Sequence, residues 1–248
     1  MADATYDGCG AEELRALLDV PRVAVYHSVT STLDVAHALG EAGAPSGSVV
    51  IAERQTAGRG RGGHRWASAA GMGIWFTMIE RPTDIAAVDV LALRLGLLAA
   101  LALDPFADGP VRLKWPNDLF AGDGKLCGIL VETRWREQRI DWVAVGIGVN
   151  VRVPSDVPRA AALRAGTSRV TVLETLVRAV RAAAASRGAL RDTELADYAA
   201  RDLARGRACR EPAPGVVTGI DARGSLLVLT PAGEVACRSG SLILAENS

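Results

Sequence analysis

Lysine and asparagine are scarce in this chain. Only two of its 28 basic residues are lysines, Lys114 and Lys125, and the rest are arginines. The only asparagines are Asn117, Asn150 and Asn247. Because arginine occupies the other cationic positions, the two lysine positions are predicted to need a compact ammonium group rather than a planar guanidinium. Chance survival in an arginine-biased sequence would not explain why both lysines lie in the neighbourhood of a Trp-Pro-Asn-Asp run.

The chain also lacks the cysteine pattern of a zinc-binding or disulfide-stabilised protein. Its four cysteines are scattered, with no CxxC pair and no histidine at ligand spacing. The N-terminus is acidic and contains no apolar signal sequence, so we expect reduced thiols and a cytoplasmic location. The apolar run over residues 84–103 contains Asp89 and Arg94. This pattern predicts a helix that covers a sheet rather than a membrane span.

A charge excess of either sign is absent as well. The chain has 28 basic and 28 acidic residues. A protein that bound nucleic acid or a membrane over a broad face would be expected to carry a basic excess, so any nucleotide chemistry must depend on local charge. The length of 248 residues allows one large domain, or one domain with a small additional module.

The most informative stretch reads KWPNDLFAGDGKLCGILVE and contains both lysines. VRLKW alternates as a strand, Pro116-Asn117-Asp118 interrupts it, and Gly122-Asp123-Gly124 predicts a hairpin turn. The apolar strand that follows contains Gly128, a glycine typical of close approach. We therefore expect the two lysines on neighbouring strands, with both ammonium groups directed at a common anion. A plain surface hairpin is the alternative, but it leaves the lysines unexplained.

A glycine-rich and arginine-rich stretch, QTAGRGRGGHRW, runs from Gln55 to Trp66. Its glycines let the backbone wrap closely around an anion, and Arg59 and Arg61 can donate forked hydrogen bonds to phosphate oxygens. It lacks the Gly-Lys-Ser/Thr of a Walker loop and the helix-opening glycine of a Rossmann fingerprint. Taken alone, it fits a phosphate-binding loop and a flexible RNA contact equally well. Trp66 can stack on a base or belong to the core.

Strand and helix patterns fill the rest of the chain. VAVYHSV, SVVIAERQ, GMGIWFTMIE and IDWVAVGIGVNV are predicted strands. A helix is predicted over residues 28–43, capped by a hydroxyl residue between Thr30 and Thr32. TVLETLVRAVRAAAA and ELADYAARDLA predict two more helices. From Gly206 to Ser248, short alternating runs separated by turn residues predict a small all-β module.

Taken together, these stretches resemble the biotin–protein ligase family. The resemblance covers Val23 to Leu244 and rests on GRGRGGH after a glutamine, KWPND, a lysine seven residues beyond that aspartate, and GIGVN. It implies an α+β fold, with a mixed β-sheet catalytic domain of the biotin/lipoate ligase type and flanking helices over residues 1–205. A small SH3-like β domain is expected over residues 206–248. The leader, residues 1–20, is too short for a DNA-binding domain, so the monofunctional type is expected.

The resemblance implies a reaction in two steps. Biotin and ATP form biotinyl-5'-adenylate and pyrophosphate, and the biotinyl group then passes to a lysine amine of a carrier protein. The implied substrates are ATP and biotin, with Mg²⁺ on the phosphates and unknown metal ligands. The implied partner is a biotin carboxyl carrier protein or the biotin domain of a carboxylase. Neither DNA nor a membrane is an expected partner, and the chain is expected to be a monomer or a weak homodimer.

The resemblance also implies roles for individual residues. The implied catalytic residues are Lys125, Arg59, Arg61 and Asp118. The implied biotin-binding residues are Ser31, Thr32, Gln55, Arg59, Gly60, Arg61, Lys125 and Gly128. The implied ATP-binding residues are Arg59, Arg61, Trp66, Lys114, Asn117, Lys125 and Asn150. Lys125 is expected to touch both substrates, and Asp118 to orient or deprotonate the incoming amine. The glycine-rich loop is expected to become ordered over the adenylate and exclude water.

Two positions depart from the family pattern, and two alternatives remain. Leu33 stands where the family has asparagine at the helix start, and His64 stands where an arginine closes the glycine-rich motif. Arg65 can substitute for that arginine. A lipoate–protein ligase shares the fold and the chemistry, although GRGRGGH with KWPND favours biotin. A non-catalytic biotin-binding regulatory protein would keep the pocket without turnover, and the intact cationic residues argue against it.

Overall fold

The computed structural model describes residues 4–155 and 157–245. Its helices are α1 (Ala11–Leu18), α2 (Thr32–Glu41), α3 (Ile85–Asp89), α4 (Leu91–Leu103), α5 (Arg169–Ala185) and α6 (Asp192–Arg201). Its strands are β1 (Val23–Val29), β2 (Ser48–Gln55), β3 (Gly73–Glu80), β4 (Arg112–Lys114), β5 (Asp118–Ala121), β6 (Gly124–Arg136), β7 (Arg139–Asn150), β8 (Ala208–Glu211), β9 (Gly215–Ile220), β10 (Leu226–Thr230), β11 (Gly233–Cys237) and β12 (Ile243–Leu244). Residues 1–3 of the predicted leader and 246–248 of the predicted C-terminal module lie outside the described residues.

The larger sheet has seven strands in the order β1-β2-β3-β7-β6-β5-β4. β1 and β2 are parallel, and every other neighbouring pair is antiparallel. Two parallel strands need a crossover connection, and α2 supplies it between β1 and β2. Ser31 caps this helix, because its side chain accepts a hydrogen bond from the backbone nitrogen of Leu33. The mixed sheet with flanking helices confirms the expected α+β class.

Helices cover both faces of the larger sheet. On one face, Leu33 and Ala36 of α2 pack with Trp142 and Ala144 of β7. On the opposite face, residues of α1, α4 and α5 join the alternate residues of β2, β3 and β7 in the main core. Each large apolar side chain buried in this way contributes about 1.5–3 kcal/mol relative to exposure. Because alternate residues of a strand point to opposite faces, the alternation in the sequence determines which residues pack against the helices on each face.

The long apolar run forms two helices rather than one. α3 ends at Asp89 and α4 begins at Leu91, because Val90 has φ −107° and ψ 6°, outside the helical region. Arg94 of α4 is only 1% exposed, and its Nε donates a hydrogen bond to Glu194 of α6 at 2.7 Å. Among the residues described, no helix combines the length and hydrophobicity needed to cross a membrane.

The second sheet is antiparallel, with the strand order β11-β10-β9-β8-β12. Its strands lie within residues 208–244, which confirms the all-β character expected of the C-terminal module; the boundary at residue 206 stays a prediction. Side chains of the larger domain reach this module, two of them through hydrogen bonds. Trp115 Nε1 donates to the carbonyl oxygen of Gly224 at 2.9 Å, and Arg61 Nη1 donates to that of Gly240 at 2.5 Å. The second sheet is therefore tied to the KWPND segment and to the glycine-rich loop.

Candidate active site

A cavity of about 380 Å³ opens where the larger sheet, the glycine-rich loop and the second sheet meet. All of the predicted site residues except Asn150 line it: Ser31, Thr32, Gln55, Arg59, Gly60, Arg61, Trp66, Lys114, Asn117, Asp118, Lys125 and Gly128. Ser241, Leu242 and Ile243, which the sequence did not single out, contribute a wall from the second sheet. The volume is that of a small-molecule site. The fold thus gathers residues from distant parts of the chain into one concave site.

Lys125 lies near the start of β6 and reaches into this cavity. Its Nζ is 2.7 Å from Oδ1 of Asp118 and 4.9 Å from the centre of the Trp66 ring. The Lys125 and Asp118 side chains are 33% and 23% exposed, so both remain accessible to a ligand. A carboxylate on one side and an aromatic ring on the other form a site for a compact cation. An incoming anion can compete with Asp118 for the ammonium group.

Lys114 ends β4 and is paired in register with Asp118 of β5. Burial lowers the pKa of Lys114, and the charge of Lys125 lowers it further, while Asp118 opposes this shift. The prediction that the two lysines lie on neighbouring strands is wrong, because β5 runs between β4 and β6. The Pro-Asn-Asp turn ends the first strand early, and LFA then forms part of a strand of its own. Both lysines nonetheless line the same cavity, where a bound anion would stabilise their charged forms.

The indole of Trp66 packs against two glycines of the sheet. Gly128 of β6 and Gly148 of β7 are paired in register. A Cβ atom at Gly128 would lie 2.9 Å from the indole, and one at Gly148 would lie 2.6 Å from its nitrogen, closer than packed atoms approach. The close approach expected at Gly128 is therefore made by Trp66 itself, which approaches Gly148 in the same way. Among the described residues, its buried Nε1 has no hydrogen-bond partner.

The glycine-rich loop forms a short hairpin over residues 58–66. The backbone nitrogen of Gly60 donates to the carbonyl of His64 at 2.7 Å, and that of Trp66 donates to Gly58 at 2.9 Å. At the tip, Gly62 and Gly63 have φ values of 65° and 81°, in the left-handed region that favours glycine. His64 lines the cavity and its carbonyl closes the hairpin. Whether this loop loses order without a ligand stays a prediction.

Arg59 and Arg61 of this loop have different surroundings. Arg59 Nη2 is 3.0 Å from Glu132 Oε2 and 3.1 Å from Asp34 Oδ1. Arg61 instead donates to the carbonyl of Gly240 in the second module. The charge of Arg59 is thus balanced by two carboxylates, whereas that of Arg61 is met by a neutral oxygen. Arg61 is therefore the more available of the two for a phosphate group.

A chain of hydrogen bonds runs from the sheet to the loop. Thr77 Oγ1 donates to Thr32 Oγ1 at 2.9 Å, and both the backbone nitrogen and the hydroxyl of Thr32 donate to Gln55 Oε1, at 2.8 and 3.1 Å. Gln55 Nε2 donates to Ser68 Oγ at 2.8 Å, and Ser68 donates to the carbonyl of Trp66 at 3.1 Å. The sequence analysis did not identify Thr77 or Ser68 as part of the site. The hydroxyl of Thr77 within the apolar run IWFTMI was a signal that could have identified it. This chain supplies the polar end of the cavity.

The two predicted asparagines hold backbone in place. Asn117 Nδ2 donates to the carbonyl of Ile129 at 2.6 Å. Asn150 is 6% exposed, and its Nδ2 donates to the carbonyls of Lys125 and Ala161 at 3.2 and 3.0 Å. Both amides therefore support β6, the strand that carries Lys125. Their contacts with a nucleotide stay predictions.

Leu33 fills the position where the family pattern has asparagine. It is 3% exposed and packs against Gly146 of β7, where a Cβ atom would lie 3.2 Å from the leucine side chain. Leu33 also lines the cavity, so this wall is apolar where an amide would have made it polar. The departure alters the lining of the site without opening a gap.

No group of three or more His, Cys, Asp or Glu side chains that could hold a metal ion is found within residues 4–155 and 157–245. Asp118 is the only carboxylate among the residues that line the cavity. Mg²⁺ commonly binds through one or two carboxylates together with substrate phosphates and water. The cavity therefore fits an Mg²⁺ ion that is held mainly by substrate phosphates.

Comparison with known proteins shows which family the chain resembles. A model of the biotin/lipoate A/B protein ligase family matches residues 25–150. The biotin--[acetyl-CoA-carboxylase] ligase of Mycobacterium tuberculosis is 33% identical over 214 residues, which cover 79% of each chain. The bifunctional ligase/repressor BirA of Bacillus subtilis is 41% identical over 140 residues, 54% of this chain and 42% of BirA. The chain therefore matches less than half the length of this relative.

A solved structure is similar over nearly the whole chain. The biotin protein ligase from Aquifex aeolicus in complex with biotin and ATP has a TM-score of 0.74 and 26% sequence identity. The similarity covers 92% of this chain and all of the other chain. It therefore extends beyond the residues that form the larger sheet.

Proposed function

The chain belongs to the biotin/lipoate A/B protein ligase family, and we propose that it is an ATP-dependent biotin–protein ligase. It activates biotin as biotinyl-5'-adenylate and transfers the biotinyl group to a specific lysine of a biotin carboxyl carrier protein or carboxylase domain. The observation that carries this proposal is the position of Lys125, whose Nζ lies 2.7 Å from Asp118 and 4.9 Å from the Trp66 ring in the cavity.

The first step must bring two anions together. A carboxylate oxygen of biotin attacks the α-phosphorus of ATP, a new O–P bond forms, and pyrophosphate leaves. Lys125, Lys114 and Arg61 line the cavity and can neutralise the charge that gathers there. Mg²⁺ carried by the phosphates would supply further neutralisation. Fixed cations and fixed orientation account for most of the rate enhancement in such transfers.

The polar and apolar parts of the cavity suit the two ends of biotin. The hydrogen-bond chain through Thr32 and Gln55 supplies donors and acceptors for the ureido head. Leu33 and Leu130 line the cavity and can contact the aliphatic tail. The carboxylate would then reach Lys125 at the other end. The ring of Trp66 and the side chain of Asn117 are proposed to contact the nucleotide base and sugar.

The second step requires a neutral amine on the carrier. Once a phosphate oxygen or the acyl carbonyl oxygen of the adenylate pairs with Lys125, Asp118 loses its partner and becomes free to accept a proton. Asp118 can then orient or deprotonate the incoming lysine amine, which attacks the acyl carbon and releases AMP. Until then the loop over residues 58–66 keeps water from the mixed anhydride.

We also propose a cellular location, a partner and an oligomeric state for the protein. Free thiols at Cys9, Cys127, Cys209 and Cys237 suit a reducing compartment, so the cytoplasm is the proposed location. The proposed partner is the carrier domain, without DNA or membrane binding. A monomer or a weak homodimer is the proposed state.

ATP–pyrophosphate exchange tests this function. We expect exchange with biotin, none with lipoate, and loss of exchange in Lys125→Ala. Exchange with lipoate alone would overturn the substrate assignment. Binding of biotin without exchange would favour the regulatory, non-catalytic alternative. Transfer of labelled biotin to an isolated carrier domain then tests the second step.

A further inference from the structure

Arg59 lines the cavity, but its side chain is anchored by two carboxylates that lie outside the cavity lining. Its Nη2 lies 3.0 Å from Glu132 Oε2 on β6 and 3.1 Å from Asp34 Oδ1 in the first turn of α2. Neither carboxylate lines the main cavity. Both line a separate depression together with Arg59. One guanidinium therefore joins the glycine-rich loop to the sheet and to a helix.

Glu132 is itself held in a fixed orientation. Its Oε2 is 2.8 Å from His37 Nε2, and Trp142 Nε1 is 3.2 Å from His37 Nδ1. An indole N–H can only donate, so Nδ1 of His37 accepts and the ring proton lies on Nε2, which donates to Glu132. The hydrogen bond from His37 and the charge of Arg59 hold the pKa of Glu132 below its ordinary value. The carboxylate is therefore charged and oriented where Arg59 meets it.

The anchored arginine is coupled to Trp66 through the loop backbone. Arg59 and Arg65 form a β-bridge across the hairpin, and Trp66 follows directly. Release of the Arg59 side chain would loosen the hairpin strand that places the indole on Gly128 and Gly148. The contact of Arg59 with Glu132 and Asp34 therefore affects the position of Trp66, which lines the cavity.

We propose that Glu132 is a positioning residue that, with Asp34, anchors Arg59 and so holds the glycine-rich loop closed over the cavity. His37, oriented by Trp142, acts through Glu132. The inference rests on the proposed function, since the adenylate is what the loop protects. It assigns Arg59 chiefly to loop closure and leaves the phosphates to Lys114, Lys125 and Arg61.

Glu132→Gln removes the charge and keeps the size of the side chain. Glu174→Gln is the matched control, because it removes the carboxylate partner of Arg178 on α5, a surface ion pair outside the cavity. Hydrogen exchange of residues 58–66 in the unliganded protein is expected to be about threefold to tenfold faster in Glu132→Gln and unchanged in the control.

A single turnover with biotin and ATP gives a second readout. We expect Glu132→Gln to form biotinyl-adenylate within about twofold of the wild-type rate but to lose it about threefold to tenfold faster. A generally destabilised fold would slow the formation of the adenylate as well as speed its loss. In an Arg59→Met background, Glu132→Gln should add no further effect, because both changes break the same contact.

Equal loop exchange in Glu132→Gln and Glu174→Gln would overturn this inference, as would additive effects in the double variant. Both results leave the proposed function standing if the wild type makes the adenylate. Failure of the wild type to make the adenylate would refute the proposed function instead. Loop exchange would then decide the anchoring role by itself.

Discussion

The ammonium nitrogen of Lys125 and a carboxylate oxygen of Asp118 are 2.7 Å apart, and both side chains line the cavity. The charge of Lys125 is therefore balanced before any substrate binds. A substrate anion that takes over this ammonium frees the carboxylate in the same event. The pair thus links charge neutralisation in the first step to proton removal in the second.

Asp118→Asn is expected to separate the two steps. Loss of a general base commonly costs about 10²–10⁴-fold in rate, and this loss should fall on transfer to the carrier lysine. Adenylate formation should fall by less than about tenfold, because the cations remain. Exchange assays and carrier biotinylation measured on the same preparation check this. Equal losses in both steps would contradict the role given to Asp118.

Lys125→Arg is expected to fail as a conservative change. A guanidinium is broader and planar, and the space between Asp118 and the Trp66 ring holds a compact ammonium. Pyrophosphate exchange should fall by about 100-fold or more. Arg178→Lys on the exposed face of α5 is the control and should leave exchange unchanged. Near-normal exchange in Lys125→Arg would show that charge alone suffices.

Gly148→Ala is expected to displace the Trp66 indole. The added Cβ would lie 2.6 Å from the indole nitrogen. The ring must then move into the cavity, so the KM for ATP should rise by about tenfold or more, and stability should fall by about 1–3 kcal/mol. Gly10→Ala is the control, because Gly10 has φ −76° and no atom within 4 Å of an added Cβ. An unchanged KM in Gly148→Ala would contradict the placement of Trp66.

These glycines show what the sequence could and could not predict. Strands and helix caps follow from local patterns, because alternation, cap hydroxyls and turn residues act over a few positions. Most of the cavity residues were instead implied by the resemblance to the biotin–protein ligase family. The glycine at position 128 predicted a close approach, but not that Trp66 makes it. The ion pairs of Arg59 could not be predicted from the sequence either. Asp34 and Glu132 have no distinguishing sequence pattern, and only the strand register and the packing of α2 on the sheet bring them together.

The buried pair of Arg94 and Glu194 is expected to make stability depend on acid pH. Hydrogen bonding by Arg94 lowers the pKa of Glu194 from 4.5 to about 2. A lowered carboxyl pKa stabilises the fold above pH 4.5, and this contribution, about 3 kcal/mol, is lost as the pH falls towards 2. Urea unfolding at pH 7, 5 and 3 measures this loss in the free energy of unfolding.

Glu194→Gln should be less stable at pH 7 and lose part of the decline between pH 5 and 3. Glu12→Gln is the control, because its carboxylate pairs with Arg15 on the surface and is 84% exposed. This change should alter stability by no more than about 0.5 kcal/mol. The same acid dependence in wild type and Glu194→Gln would contradict the assignment.

Mass spectrometry of the small molecules retained after the protein is mixed with biotin, ATP and Mg²⁺ tests the proposed function most directly. We expect biotinyl-5'-adenylate on the wild-type protein and none on Lys125→Ala. Recovery of unreacted biotin and ATP from the wild type, or equal adenylate on both proteins, would contradict the proposed function and the role of Lys125.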